Sequence, residues 1–277
     1  MMAQDRGLVT KRFKASISAI VVSACLLADT TIAETTSSKA ASLIQALQNA
    51  DMLTQPSIVL EIESLGADAV PSLIAVMKAG DKFARHRSIE ILGRLGETAK
   101  PAIPGLIDSL TDPEAQIRRN TAWALGRIGP IAKDALPDLL STSQDPEWDV
   151  RADAFWALGK ISSERDPENN ITSAVLARLV EGLEDVSLHV RWSAIWALAR
   201  LGPRAEAAVP SLISRLEDPV AKIRASAALS LARVAPADQH LKVVPALLAA
   251  KADPAPIVQS RAVAALRTFQ RRVAPVM

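Results

Sequence analysis

Apolar residues recur three and four apart along most of the chain. Ile103, Leu106, Ile107 and Leu110 form one such set, Leu176, Leu179, Val180 and Leu183 a second, and Val209, Leu212, Ile213 and Leu216 a third. This is the spacing of one buried helix face. An Ala-rich segment with its own stripe follows each set: Ile117, Thr121, Ala122, Leu125 and Ile128 after the first, and Val190, Ala194, Ile195, Leu198 and Leu201 after the second. The pattern predicts helix pairs, and the pairs repeat. Arg85, Arg118, Arg151, Arg191, Arg224 and Arg261 each open an Ala-rich segment, at spacings of 33, 33, 40, 33 and 37 residues. Pro71, Pro104, Pro137 and Pro210 mark the first segments, and Asp112, Asp145, Asp185 and Asp218 each stand six residues before their arginine. A unit of this length cannot bury its apolar face alone, so successive units stack into a solenoid.

Local signals place the ends of the second helices. Asp112-Pro113 and Asp218-Pro219 read as a capping residue followed by a proline at the first helical position, where its missing N–H costs nothing. Gly129 and Gly202 read as helix stops. The phrases LTDPEAQIRRNTAWALGRIG and LEDPVAKIRASAALSLARVA resemble HEAT repeats, specifically the short bacterial kind named after phycobilisome lyases, and the likeness extends over residues 66–269. The resemblance implies an all-α fold, a right-handed α-solenoid (superhelix) of about six HEAT-like helix pairs, with the second helices on the inner, concave wall. Residues 42–65 read as a degenerate N-terminal helical cap and residues 270–277 as a C-terminal tail. The third unit carries an insertion, Ile161 to Ala174, which contains Glu164, Asp166 and Glu168 and reads as a solvated loop.

Charge and the N-terminus alter the picture next. The formal net charge of +2 comes wholly from residues 1–33, whose four basic and two acidic residues leave 28 of each sign in the remainder. An electroneutral body exerts no bulk attraction on polyanions, so nucleic acid is not an expected partner. In residues 1–33, Lys11, Arg12 and Lys14 precede the apolar run Ile17–Leu27, and small residues end at Ala33. This is the pattern of a secretory signal peptide, followed by a polar spacer at 34–41. The chain is accordingly expected to be exported, periplasmic or secreted. Val22-Ser23-Ala24-Cys25 also resembles a lipobox, and on that alternative Cys25 would be lipidated and hold the protein at a membrane. On either reading no free thiol remains for a nucleophile, a disulfide or a zinc–thiolate site.

The aromatic residues carry the one functional signal. The chain has five Trp and no Tyr, and Trp123, Trp156 and Trp196 all stand five residues after a repeat arginine; Leu229 takes that place in the next unit. At about 100° per residue this position lies near 140°, roughly opposite the centre of the apolar stripe. Two readings follow. Each indole can lie across a small residue of a neighbouring helix, at Gly126, Gly159, Ala199 or Ala232, as packing. Alternatively the row is a binding stripe, because solenoids use this wall for partners and Trp is enriched at binding hot spots. Arg94, Arg127, Lys160, Arg200 and Arg233 form the adjacent row, and Trp192 thickens the stripe. Indoles beside cations suit an extended peptide with acidic or aromatic side chains. The repeat Asp112, Asp145, Asp185 and Asp218 read as caps, and Arg118, Arg151, Arg191 and Arg224 as a ladder pairing with an Asp of an adjacent unit.

Enzymatic chemistry finds little support. Deoxyhypusine hydroxylase, which shares the repeat, holds iron through His-Glu dipeptides. Here the three His are followed by Arg87, Val190 and Leu241. An enzyme of the same repeat family, a deoxyhypusine-hydroxylase-like oxidoreductase or a bilin lyase, remains the alternative, since a Trp/Arg groove suits a propionate-bearing pigment, although a secretory signal argues against both. His86, with Glu90 one turn on, reads as a surface hydrogen bond. No Gly-rich phosphate loop or nucleophile elbow is present. The expectation is a monomeric, cofactor-free protein- or peptide-binding scaffold, with a structural spacer as the further alternative.

Overall fold

The computed structural model describes residues 38–47, 55–162 and 173–273, and no strand occurs among the described residues. The expected signal peptide with Cys25, and Glu164, Asp166 and Glu168 of the insertion, lie outside them. In chain order the helices are α1 (residues 38–47), α2 (Gln55–Ser64), α3 (Val70–Ala79), α4 (Lys82–Leu95), α5 (Ile103–Ser109), α6 (Ala115–Ile128), α7 (Leu136–Thr142), α8 (Trp148–Ile161), α9 (Ser173–Glu181), α10 (Leu188–Leu201), α11 (Val209–Ser214), α12 (Ala221–Val234), α13 (His240–Ala250) and α14 (Pro256–Val273). From α5 onward they fall into five successive packed pairs, a short first helix and a long second one, and α3 and α4 precede these in the same order of short and long. The architecture is an α-solenoid.

The chain divides into two compact units, residues 1–75 and 76–277. In the first, Ala40, Ile44, Leu47, Val59 and Ile62 are buried, and Lys39 pairs with Glu61 at 2.8 Å. Residues 38–41, in the segment expected as spacer, are helical: Ala40 is buried and the Ser42 hydroxyl bonds back to the Ser38 carbonyl. At the other end α14 runs on to Val273, into the expected tail.

In the second unit the long helices pack in sequence, α4 on α6, α6 on α8, α8 on α10, α10 on α12 and α12 on α14. The expected stripe is buried: Ile117, Thr121, Ala122, Leu125 and Ile128 on α6, with Val190, Ala194, Ile195, Leu198 and Leu201 on α10. Ala124 and Gly126 are buried too, since α6 meets a long helix on either side. Pro104, Pro137 and Pro210 stand at the second residue of α5, α7 and α11, among amides that need no helical acceptor. Gly129 and Gly202 end α6 and α10 at φ of 83° and 58°, a conformation that a side chain resists.

The long helices begin later than the Asp-Pro signal implies. Helix α6 starts at Ala115, so Asp112 and Pro113 precede it. The Asp112 carboxylate accepts the Glu114 amide at 2.9 Å in an Asx turn rather than capping the first helical turn. Its geometry has a physical cause: the Arg118 guanidinium reaches back to the Asp112 and Pro113 carbonyls at 2.9 and 3.1 Å, which fixes this stretch as a loop.

Candidate partner-binding face

The ladder that spaces the units also aims their long helices. Arg118 forms a two-pronged pair with Asp145 of the next unit, Nε at 2.6 Å and Nη2 at 2.9 Å. Arg151 does the same to Asp185 at 2.8 and 3.0 Å, and Arg224 to Asp253 at 2.7 and 2.8 Å. Arg191 pairs with Asp218, and both are buried. Arg85 binds Asp112. Arg118, Arg151, Arg191 and Arg224 also donate to carbonyls of their own entry loops, so each ties that loop to the aspartate of the following unit, a geometry only a planar fork supplies. Burial opposes ionisation of Asp145, but the Arg118 hydrogen bonds and the Glu147 amide outweigh it and hold the carboxyl below its ordinary range. The sequence reading missed Asp253, whose Asp-Pro dipeptide is the overlooked signal. It also misassigned Arg261. That residue is exposed, and Gln259, six residues after Asp253, takes the arginine's place by donating to the Asp253 carbonyl at 2.7 Å.

On the face of the long helices opposite their buried stripe lie the tryptophans. Trp123, Trp156, Trp192 and Trp196 are all partly exposed. Two of the indoles reach back over the glycine of the unit before: a Cβ on Gly93 would come within 2.6 Å of Trp123 Cζ3, and one on Gly126 within 2.5 Å of Trp156 Cζ3. Gly159 differs: a Cβ there would come within 2.5 Å of Ala197 Cβ and 2.6 Å of its Cα, and the Trp196 ring is not among the nearest contacts. Trp156 and Trp196 stack at 6.0 Å between centroids, 23° apart in plane.

A cation covers each of these rings. Arg127 lies 5.8 Å from the Trp123 centroid, Lys160 5.7 Å from Trp156 and Arg200 4.9 Å from Trp196, each four residues on along the same helix. Lys222 of the next unit covers Trp192 at 5.3 Å. Arg233 is exposed in the same row. The sequence reading also passed over Trp148, 47% exposed, which stacks on His189 at 4.8 Å. His189 and Lys222 both stand two residues before a repeat arginine, and the azimuth test used for the tryptophans places that position on the same face.

Two grooves open along this face. The first encloses about 630 Å³ between His86, Glu90, Arg94, Arg119, Trp123 and Asp153. Its carboxylates are answered internally. Glu90 accepts from Arg87 at 2.7 Å and Arg94 at 2.6 Å, rather than standing as the expected partner of His86, and Asp153 accepts from Arg119 at 3.0 Å. Burial lowers the His86 pKa, a shift that neighbouring Glu90 opposes, and burial raises that of Asp153 against the pull of Arg119. The second groove, of about 550 Å³, lies between Trp192, Trp196, Ala199, Leu229 and Arg233 and has no carboxylate in its lining. Among the described residues no group of three or more His, Cys, Asp or Glu is placed to hold a metal ion.

Comparison with known proteins accords with this architecture. No curated protein matches the chain. Two engineered proteins of known crystal structure are similar to it in fold: one at 19% identity and TM-score 0.59, covering 83% of this chain and 68% of its own, the other at 21% and 0.52, covering 84% and 97%. A chain from the complex of CpcE and CpcF of phycocyanin lyase from a Nostoc species is 25% identical over 58% of this chain and 97% of its own, with a TM-score of 0.47. The family profile for HEAT repeats matches residues 103–169 and 176–267, and that for a HEAT-like repeat matches residues 148–201. With more than half its length so matched, the chain belongs to the HEAT-repeat family.

Proposed function

We propose that the protein is an exported, non-catalytic scaffold that binds an extended segment of a partner protein along the tryptophan face of its long helices. One observation carries the reading: Trp123, Trp156 and Trp196 repeat at one register, partly exposed, each with a cation of its own helix over the ring. Such a row presents apolar edges and positive heads at the spacing of the repeat, with its geometry set by a ladder that costs no order on binding. Arg127, Lys160, Arg200 and Arg233 supply the charge, and Trp192 widens the apolar area. Export follows from the signal-like residues 1–33.

The test is a double substitution, Trp123→Ala with Trp156→Ala, in the mature chain. Capture of exported proteins and of an acidic, aromatic-containing peptide library should fall at least about tenfold, the scale of losing one or two hot-spot aromatics, while the far-ultraviolet CD spectrum stays helical. Undiminished capture by a folded double variant refutes the reading.

A further inference from the structure

The second groove owes its existence to one substitution in the repeat. Where three units carry Trp123, Trp156 and Trp196, the fifth carries Leu229. Trp156 lies over Gly126 of the preceding helix. By the same register an indole at 229 would lie over Ala199, but leucine is shorter. The consequence is visible in exposure: Gly126, beneath Trp156, is buried, whereas Ala199, its counterpart, is partly open to solvent and lines the groove. The row of rings thus stops one short, and an apolar space beside Trp196 and Trp192 stands where the next ring would be.

The charged side chains in its lining and over its rings are all cations. Arg233 lines it, Arg200 lies over Trp196 and Lys222 over Trp192, and no carboxylate is in the lining. In the first groove Glu90 and Asp153 offset the arginines. The π faces of Trp192 and Trp196 are therefore already engaged by the protein's own cations. A basic ligand would meet occupied rings and like charge; a carboxylate would meet cationic heads held at fixed places.

We infer that the groove between Trp196 and Leu229 takes an aromatic side chain from an acidic segment of the partner protein, which completes the interrupted row. The inference rests on the scaffold reading above and locates its anchor. Its probe is a fluorescein-labelled ten-residue peptide of Glu and Asp with one central Trp. Two controls replace the Trp by Ser or the acidic residues by Lys. Binding is followed by anisotropy at low and high salt. The acidic Trp peptide should bind at least about tenfold tighter than either control, and salt should weaken it. Leu229→Trp should fill the space and weaken that peptide about tenfold or more while keeping the helical CD spectrum. Arg233→Glu, on the exposed rim, should weaken it similarly and reduce the salt dependence. Equal binding of the Lys peptide, no binding of the acidic peptide, or indifference to both substitutions overturns the inference. If Trp123→Ala with Trp156→Ala abolishes partner capture while Leu229→Trp leaves the peptide untouched, the anchor is misplaced and the scaffold reading stands. If Leu229→Trp acts on the peptide and the double variant captures its partners normally, the groove stands and the extended row does not.

Discussion

Gly126→Ala sets two physical effects of opposite sign against each other. Gly126 is inside α6, so alanine there should gain about 1 kcal/mol of helix propensity. Against this, the new Cβ would sit 2.5 and 2.8 Å from Trp156 Cζ3 and Cε3 and 2.9 Å from the Ala157 Cα, where carbon atoms keep about 3.5 Å or more. Rotating the indole does not clear the third contact, because it is backbone. Helix α8 must move away from α6 by a substantial fraction of an ångström, and overpacking of that kind costs about 1–3 kcal/mol. With a backbone atom among the contacts, the upper part of the range applies, leaving a net loss of about 1–2 kcal/mol. Gly105→Ala is the matched control: it too lies within a helix, but its Cβ would meet only the flexible ends of Met77 at 2.6 Å and Lys78 at 3.5 Å. It should be neutral or stabilising by up to about 1 kcal/mol. Urea unfolding followed by tryptophan fluorescence reads both. At an m value of about 2–3 kcal/mol/M, Gly126→Ala should lower the midpoint by roughly 0.5 M and Gly105→Ala should not. A midpoint raised by Gly126→Ala as much as by Gly105→Ala would show that α8 and its indole yield at no cost, and the close packing of α8 on α6 would have to be abandoned.

Two further predictions concern the ladder. Arg151→Met removes the fork between Asp145-Pro146 and Asp185, both partners being only 14% exposed, and should cost about 2–4 kcal/mol in urea unfolding; Asp185→Asn should cost less, and the double variant should be far from additive. A loss below about 0.5 kcal/mol for Arg151→Met would reduce the ladder to surface ion pairs. The pH dependence has two signs. Asp145 is depressed in the fold, so its contribution is present above the unfolded value of about 3.9 and disappears as pH falls through the folded value; Asp145→Asn should flatten the acid side of a plot of midpoint against pH. Asp153 is raised by burial, so its contribution is full below about 3.9 and lost as pH rises through the folded value. Asp153→Asn, which keeps an acceptor for Arg119, should therefore leave the neutral-pH protein as stable or more so, and a clear loss there contradicts the assignment.

The repeat was legible because a helix face and a unit length are both periodic, and Arg118, Arg151, Arg191 and Arg224 recur with them. The ladder's partners were harder to fix at its end. Arg261 fits a count of residues between arginines, but the structure follows Asp253-Pro254 and places Gln259 in the arginine's seat. Rung lengths show why counting fails: Arg118 to Asp145 and Arg191 to Asp218 span 27 residues, while Arg151 to Asp185 spans 34 across the insertion. The rung holds its geometry and the loop absorbs the difference. Asp153 with Arg119 was not legible at all, since the pair joins different positions of neighbouring units, an offset that depends on how two helices slide against each other. His189 and Lys222 share the tryptophans' azimuth, but they stand before the arginine that opens each segment, so the register counted forward from it does not reach them.

The indoles are at once seam and surface, and their azimuth explains why. Five residues after the repeat arginine the side chain points away from the apolar stripe, yet the Trp123 and Trp156 rings still reach the preceding helix with one side and show solvent the other. Packing and recognition then place the same demand on the position, and a ring found there is not evidence for either. The units without a ring decide between them. Leu229 occupies the register on α12, whose contact with α10 is the least extensive between successive long helices; but Ala264 occupies it on α14 by the count from Gln259, and α14 packs on α12 as closely as α6 does on α4. Stacking therefore does not require Trp. Three consecutive tryptophans, each under its own cation, exceed what the seam needs, and that excess favours a ligand.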